Sequence, residues 1–101
     1  MINLSKAKTI EYVTFLSKPT ISDEALLISA KNTDSVLATI NGFIYRYIAK
    51  QEDGKWVEVV LWENRTQAKA GLDVFLKHPL SKDFLDKIQE GSVSISYAQV
   101  L

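Results

Sequence analysis

Hydrophobic and polar positions alternate over residues 10–17 (IEYVTFLS), with Val13 and Phe15 on one face of an extended chain and Tyr12, Thr14 and Leu16 on the other. The stretch is rich in β-branched and aromatic residues and predicts a first strand, which Pro19 ends. Thr20 or Ser22 is placed to cap a helix, because a side-chain oxygen there satisfies a first-turn amide that has no partner within the helix. Asp23 and Glu24 suit the positive end of its dipole. Leu26, Leu27 and Ala30 begin an apolar stripe, Lys31-Asn32-Thr33-Asp34 interrupts it, and Val36, Leu37 and Ile40 resume it. The pattern predicts one helix bent near Asn32, or two short ones, closed at Asn41-Gly42.

The clearest strands are residues 43–51 (FIYRYIAKQ) and 55–63 (KWVEVVLWE). Glu52-Asp53-Gly54 joins them, and Asp-Gly is a strong hairpin signal. Asn64 or Thr66 then caps a helix whose Ala68, Leu72 and Phe75 share one face, and His78-Pro79 stops it. Ser81 is expected to cap a short third helix carrying Phe84, Leu85 and Ile88, which Gly91 ends. Residues 92–100 alternate again, with Val93, Ile95 and Tyr97 against Ser92, Ser94 and Ser96. The order β-α-β-β-α-α-β, with right-handed crossovers, is that of the split βαβ or ferredoxin-like α+β fold. It predicts a four-stranded antiparallel sheet with helices on one face.

Helices cover one face of such a sheet, yet both parities of the central hairpin carry large apolar groups. Phe43, Tyr45, Tyr47, Val57, Val59 and Leu61 form one set; Ile44, Ile48, Trp56, Val60 and Trp62 belong to the other. A monomer would leave one set in water as a contiguous apolar patch of a size monomers seldom expose. Two copies stacked sheet against sheet would bury it, so a homodimer is expected.

With 101 residues, 47% hydrophobic and 24% charged, the chain reads as one globular domain over 1–101. Its 12 basic and 12 acidic side chains cancel, and the lysines are scattered. Neither nucleic acid nor a membrane surface is therefore an expected partner. Without Cys there is no disulfide, thiol redox centre or zinc–thiolate site. The single imidazole, His78, has no companions at ligand spacing, and the isolated glycines make no phosphate loop, so no metal or nucleotide is expected. His78 is read as capping a helix end. Lys6 and Lys8 are not followed by the apolar core of a signal peptide, and Ile10 to Leu16 is too short to cross a bilayer and is interrupted by Glu11. The expected location is the cytoplasm.

Over about residues 10–100 the sequence resembles the dimeric α/β-barrel superfamily, particularly small proteins of the antibiotic-biosynthesis monooxygenase (ABM) type. The resemblance is carried by Gly42-Phe43-Ile44 opening the second strand and Val59-Val60-Leu61-Trp62-Glu63-Asn64 closing the third. The helix start Thr66-Gln67-Ala68-Lys69-Ala70 and the break from Pro79 to Phe84 complete it. It implies a dimer whose sheets form a barrel, with a pocket between sheet and helices in each subunit. Some such proteins oxygenate electron-rich aromatic substrates without metal or flavin, because the substrate itself activates oxygen. Others degrade haem, using an Asn on the first strand and a Trp and His on the helices after the third. This chain has no Asn in its first strand and no His or Trp between Ser81 and Glu90, which argues against haem degradation. The expectation is a cofactor-independent monooxygenase for a small aromatic or polyketide-like compound. The alternative is a non-catalytic small-ligand-binding or stress-related dimeric module.

Glu58, set among apolar neighbours on the third strand, is the expected general base, since a covered carboxylate loses hydration and holds a proton more tightly. The commoner reading of such a residue is an ion pair, here with Arg46, which a three-residue hairpin loop would make its diagonal neighbour. Trp62 and Trp56 share a strand face and would wall an aromatic ligand or pack in a core or interface. Arg46, Tyr45 and Tyr47 complete the expected ligand residues, with Tyr12 and Tyr97 as further hydrogen-bonding candidates.

Overall fold

The computed structural model describes residues 2–101, so Met1 lies outside the described residues. Strand β1 (Thr9–Phe15) leads through helices α1 (Asp23–Lys31) and α2 (Asp34–Leu37) to the hairpin β2 (Phe43–Lys50) and β3 (Trp56–Trp62). Helix α3 (Arg65–Lys77), a 3-10 turn at Pro79–Ser81, helix α4 (Lys82–Asp86) and strand β4 (Ser94–Gln99) complete the chain. The sheet order is β2-β3-β1-β4, antiparallel throughout. This is the ferredoxin-like topology.

Local chemistry explains the boundaries. The Ser22 side chain accepts from the Ala25 amide at 3.1 Å, and Asn64 accepts from the Gln67 amide at 2.8 Å, so each starts its helix as an N-cap. The polar run at Asn32-Thr33 divides the first helical region into α1 and α2. β1 stops at Phe15 because the Leu16 amide donates to Ser92 Oγ at 3.0 Å and its carbonyl accepts from the Gln89 amide at 2.8 Å. The same contact draws Ser92 out of the last strand, which begins two residues later than its alternation suggested. Gly42 (φ +86°) and Gly54 (φ +89°) turn the chain into and within the hairpin with left-handed backbones that side chains disfavour.

Two expected caps differ. Ser81 makes no side-chain cap; α4 continues from the 3-10 turn, and the Ser81 hydroxyl is buried without a partner. His78 caps, but as an acceptor: its Nδ1 takes the Leu80 amide proton at 3.1 Å, opening the 3-10 turn after α3.

The core lies between the sheet and the helices. Phe15 and Phe75 each meet Phe84 edge to face, with ring centres 5.8 and 6.3 Å apart. Trp62 and Phe43 pack the same way at 5.8 Å. Phe43 was expected on the opposite face, with Tyr45. An irregularity between Phe43 and Tyr45 pairs Phe43 with Trp62 but Tyr45 with Leu61, and so turns Phe43 inward. The remaining outward set is Tyr45, Tyr47, Val57, Val59 and Leu61, joined by Ile10 and Tyr12 from β1. Val57 is buried, while Tyr12 and Tyr47 are exposed.

Candidate functional site

Strand parity builds the inner wall of a cavity. Glu11 and Val13 of β1 alternate inward with Phe15, and Glu58, Val60 and Trp62 do so on β3. Gly71, Leu72, Phe75 and Leu76 of α3, with Phe84, Leu85 and Ile88 around α4, close the other side. The free space is about 100 Å³ and is open on one side. Leu76, Val93 and Ile95 belong to the lining yet are exposed, so they form its apolar rim.

Glu11 is the central polar group. It is 3% exposed, and its Oε1 accepts the Trp62 indole N–H at 2.9 Å. Burial pushes its carboxyl above the ordinary glutamate range; the Trp62 hydrogen bond opposes this, the Glu58 charge adds to it and Arg46 counters it. Trp62 can lie this deep because Gly71 has no side chain: a Cβ there would stand 2.4 Å from Trp62 Cη2 and 2.7 Å from Cζ3.

Glu58 also faces the cavity, but as one half of an ion pair. Arg46 Nε donates to Glu58 Oε1 at 2.6 Å, and Nη2 contacts the same oxygen. Arg46 Nη1 donates to the Ala30 carbonyl (2.9 Å), Thr33 Oγ1 (2.8 Å) and Asp34 Oδ1 (3.2 Å). The guanidinium therefore ties the end of α1 to the middle of the sheet. It also lies 5.5 Å from the Phe84 ring centre and 5.9 Å from that of Phe75. The diagonal Arg46–Glu58 relationship follows from a three-residue loop: Ile48 pairs with Glu58 and Arg46 with Val60.

Of the expected site residues, Glu58 and Trp62 line the cavity, and Trp62 gives its N–H to Glu11. Arg46 reaches the site through Glu58 and is not itself in the lining. Tyr45 and Tyr47 are edge to face at 4.8 Å on the outer face, so the sheet separates them from the cavity. With Arg46 they border a separate open groove along the free edge of β2. Trp56 is buried on the inner face at the far end of β3, with the Lys50 ammonium 5.5 Å from its ring centre. Tyr97 stands beside Glu11 on β4, under Arg65 and Lys69; burial and then the Glu11 charge raise its pKa, which Arg65 opposes. Tyr12 is outward and donates to Gln51 at 3.0 Å.

Sequence reasoning missed Glu11 as a functional residue. The available signal was its parity: it alternates with Val13 and Phe15, placing an acid on a buried face. Among the described residues, no three His, Cys, Asp or Glu side chains form a group that could hold a metal ion. Among the described residues no helix is long and apolar enough to cross a membrane.

No protein-family model and no curated protein sequence matches the chain. Solved structures do. The ActVA-Orf6 monooxygenase of Streptomyces coelicolor, in complex with nanaomycin D, superposes with a TM-score of 0.69 at 14% identity, covering 96% of this chain and 90% of that one. SnoaB of Streptomyces nogalater, a cofactor-independent oxygenase, gives 0.69 at 14% identity, covering 93% and 94%. The chain shares its fold with these two oxygenases. A dimeric ferredoxin-like protein from an uncultured marine organism shares it at a TM-score of 0.63 and 12% identity, covering 98% and 92%. Proteins of unknown function share it too. At these identities the ABM-like likeness concerns the fold, and the chemistry must be argued from the cavity.

Proposed function

We propose that this chain is a cofactor-independent monooxygenase acting on a small aromatic or polyketide-like compound. The observation that carries this reading is a buried carboxylate, Glu11, facing an apolar cavity with its proton affinity raised by burial. Glu58 was the expected base, but Arg46 already neutralises it, so Glu11 takes that role. The ABM-like fold supports the assignment.

In the proposed reaction, Glu11 accepts a proton from an acidic CH₂ carbon of the substrate, or from the O–H of the enol or phenol tautomer of that group. The resulting carbanion donates electrons to O₂ and forms a C–O bond. Glu11 returns the proton to the distal peroxide oxygen. Loss of water from the hydroperoxide then leaves a carbonyl, so CH₂ + O₂ gives C=O + H₂O. The apolar walls exclude solvent protons that would quench the anion. The test is oxygen uptake with phenols that carry an acidic CH₂ group. Uptake should depend on substrate and fall about 100-fold or more in Glu11→Gln. Unchanged uptake in that variant would remove Glu11 from the mechanism.

The small free volume favours a second reading, ligand binding without turnover. About 100 Å³ is less than the roughly 150 Å³ that takes up benzene in an engineered apolar cavity, so any aromatic ring must part the Leu76, Val93 and Ile95 rim. Under this reading ligands raise the melting temperature while oxygen uptake stays at background.

We further propose that the chain works as a homodimer through the outward sheet face, where Tyr12, Tyr45, Tyr47, Val59 and Leu61 present an apolar surface. The existence of a dimeric relative in fold supports it. Sedimentation at micromolar concentration should give twice 11.4 kDa, and Tyr47→Lys with Val59→Lys should return it to that mass. A wild-type chain of 11.4 kDa would end the proposal.

A further inference from the structure

Glu11 has a further neighbour that the cavity itself does not explain. Tyr97 of β4 lies directly opposite it in the antiparallel register, so the two side chains leave the same face of the sheet side by side. The Tyr97 ring is half-buried and packs against the core. Over that ring stand two cations of α3: the Arg65 guanidinium carbon is 5.8 Å and the Lys69 ammonium 5.7 Å from its centre. They sit one turn apart at the start of the helix, where the dipole is already positive, so each would gain from an anion. Both are exposed, and among the described residues neither makes an ion pair. The charges acting on the two neighbours sort in the same way. Glu58 and Arg46 act on Glu11, whereas Glu11 and Arg65 act on Tyr97. Tyr97 therefore feels both the acid and the cation.

We propose that Tyr97 is a positioning residue: its ring holds Arg65 and Lys69 by cation–π attraction, keeps them from the Glu11 carboxylate, and so reserves that carboxylate for a proton. A cation in contact with Glu11 would favour its ionised form, as Arg46 does for Glu58, and would end its use as a base. Long, flexible side chains reach far, and distance alone does not hold them off. The ring does so in two ways. It offers the cations a favourable face, and it fills the place on β4 through which they would approach. Its π face carries this role and its hydroxyl does not, so phenylalanine would serve as well. The inference rests on Glu11 being the base, as proposed above, but its test reads proton affinity without turnover. Absence of oxygen uptake would end that reading and leave this one standing.

The test follows the Glu11 side-chain carboxyl carbon by NMR through a pH titration of the full-length chain. Tyr97→Ala opens the way to the cations, so the Glu11 midpoint should move to lower pH than in the wild type. Adding Arg65→Gln and Lys69→Gln to that variant should move it back up. Tyr97→Phe should titrate as the wild type does. Arg65→Gln with Lys69→Gln alone, two surface changes, should leave the midpoint in place, because the ring already keeps those charges away. A fall in Tyr97→Ala that persists without the two cations would assign it to water reaching the carboxylate and overturn the proposal. An unchanged midpoint in Tyr97→Ala, or a fall in Tyr97→Phe, overturns it as well. So does a rise in the surface double variant, which would show that the cations act on Glu11 in the intact protein. Should Tyr97→Ala not fold, Tyr97→Leu takes its place, keeping apolar cover without a π face, and the surface double variant decides independently.

Discussion

Trp62 and Glu11 meet across neighbouring antiparallel strands, indole N–H to carboxylate oxygen at 2.9 Å, although 51 residues separate them along the chain. Trp62 is 1% and Glu11 3% exposed. A buried carboxylate with one neutral donor is incompletely compensated for the water it has lost, and this explains the direction of its proton affinity.

Glu11 makes stability depend on pH. Its native pKa lies above the unfolded value, because burial outweighs the Trp62 hydrogen bond. The native state therefore holds the proton more tightly than the unfolded chain. The resulting stabilisation is complete below the unfolded glutamate range and is lost as pH rises through the raised native value. Thermal melts across that window should show the wild type losing stability relative to Glu11→Gln as pH rises. A difference between the two that does not change with pH would contradict the assignment.

Gly71 should tolerate no side chain. In an exposed helix, Gly→Ala gains about 1 kcal/mol of helix propensity. Here the new methyl would press into the Trp62 ring at 2.4 Å and the Ile40 Cγ2 at 3.0 Å. Overpacking of this kind costs roughly 1–3 kcal/mol, so Gly71→Ala should be destabilising in urea titrations. It should also shift the Trp62 indole N–H signal as the hydrogen bond to Glu11 is displaced. An Ala variant more stable than the wild type would refute the close approach.

Arg46 and Glu58 should be strongly coupled. Arg46→Met leaves the Glu58 carboxylate buried without its cation and strips a donor from the Ala30 carbonyl. Breaking a buried pair in this way costs about 3–5 kcal/mol. Adding Glu58→Gln removes the orphaned charge and should restore a large part of that loss. A double-mutant cycle by chemical denaturation reads the coupling directly, and additive effects would show that the pair is not energetically joined.

Strand parity made much of the site legible from residue types. Glu58 and Trp62 read as sharing one face of β3, while the register that makes Arg46 and Glu58 diagonal neighbours, and the face that turns inward, came from the structure. Tyr45, Tyr47 and Trp56 read as ligand residues because aromatic side chains suit walls, cores and interfaces alike. Composition does not separate those roles. Phe43 was misplaced because a single irregularity beside Ile44 reverses parity without a glycine or proline to announce it.

The sequence alone determined the order of elements, the antiparallel hairpin and the placing of apolar side chains on both sides of the sheet, and it narrowed the caps to Thr20 or Ser22 and to Asn64 or Thr66. Those features depend on residues a few positions apart, and local periodicity encodes them. Tertiary structure decided that Glu11 meets Trp62, that Gly71 admits the indole, and that Arg46 neutralises one cavity acid and leaves the other to its burial. Burial and charge pairing depend on which distant strands and helices enclose a group, and no short stretch of sequence carries that information.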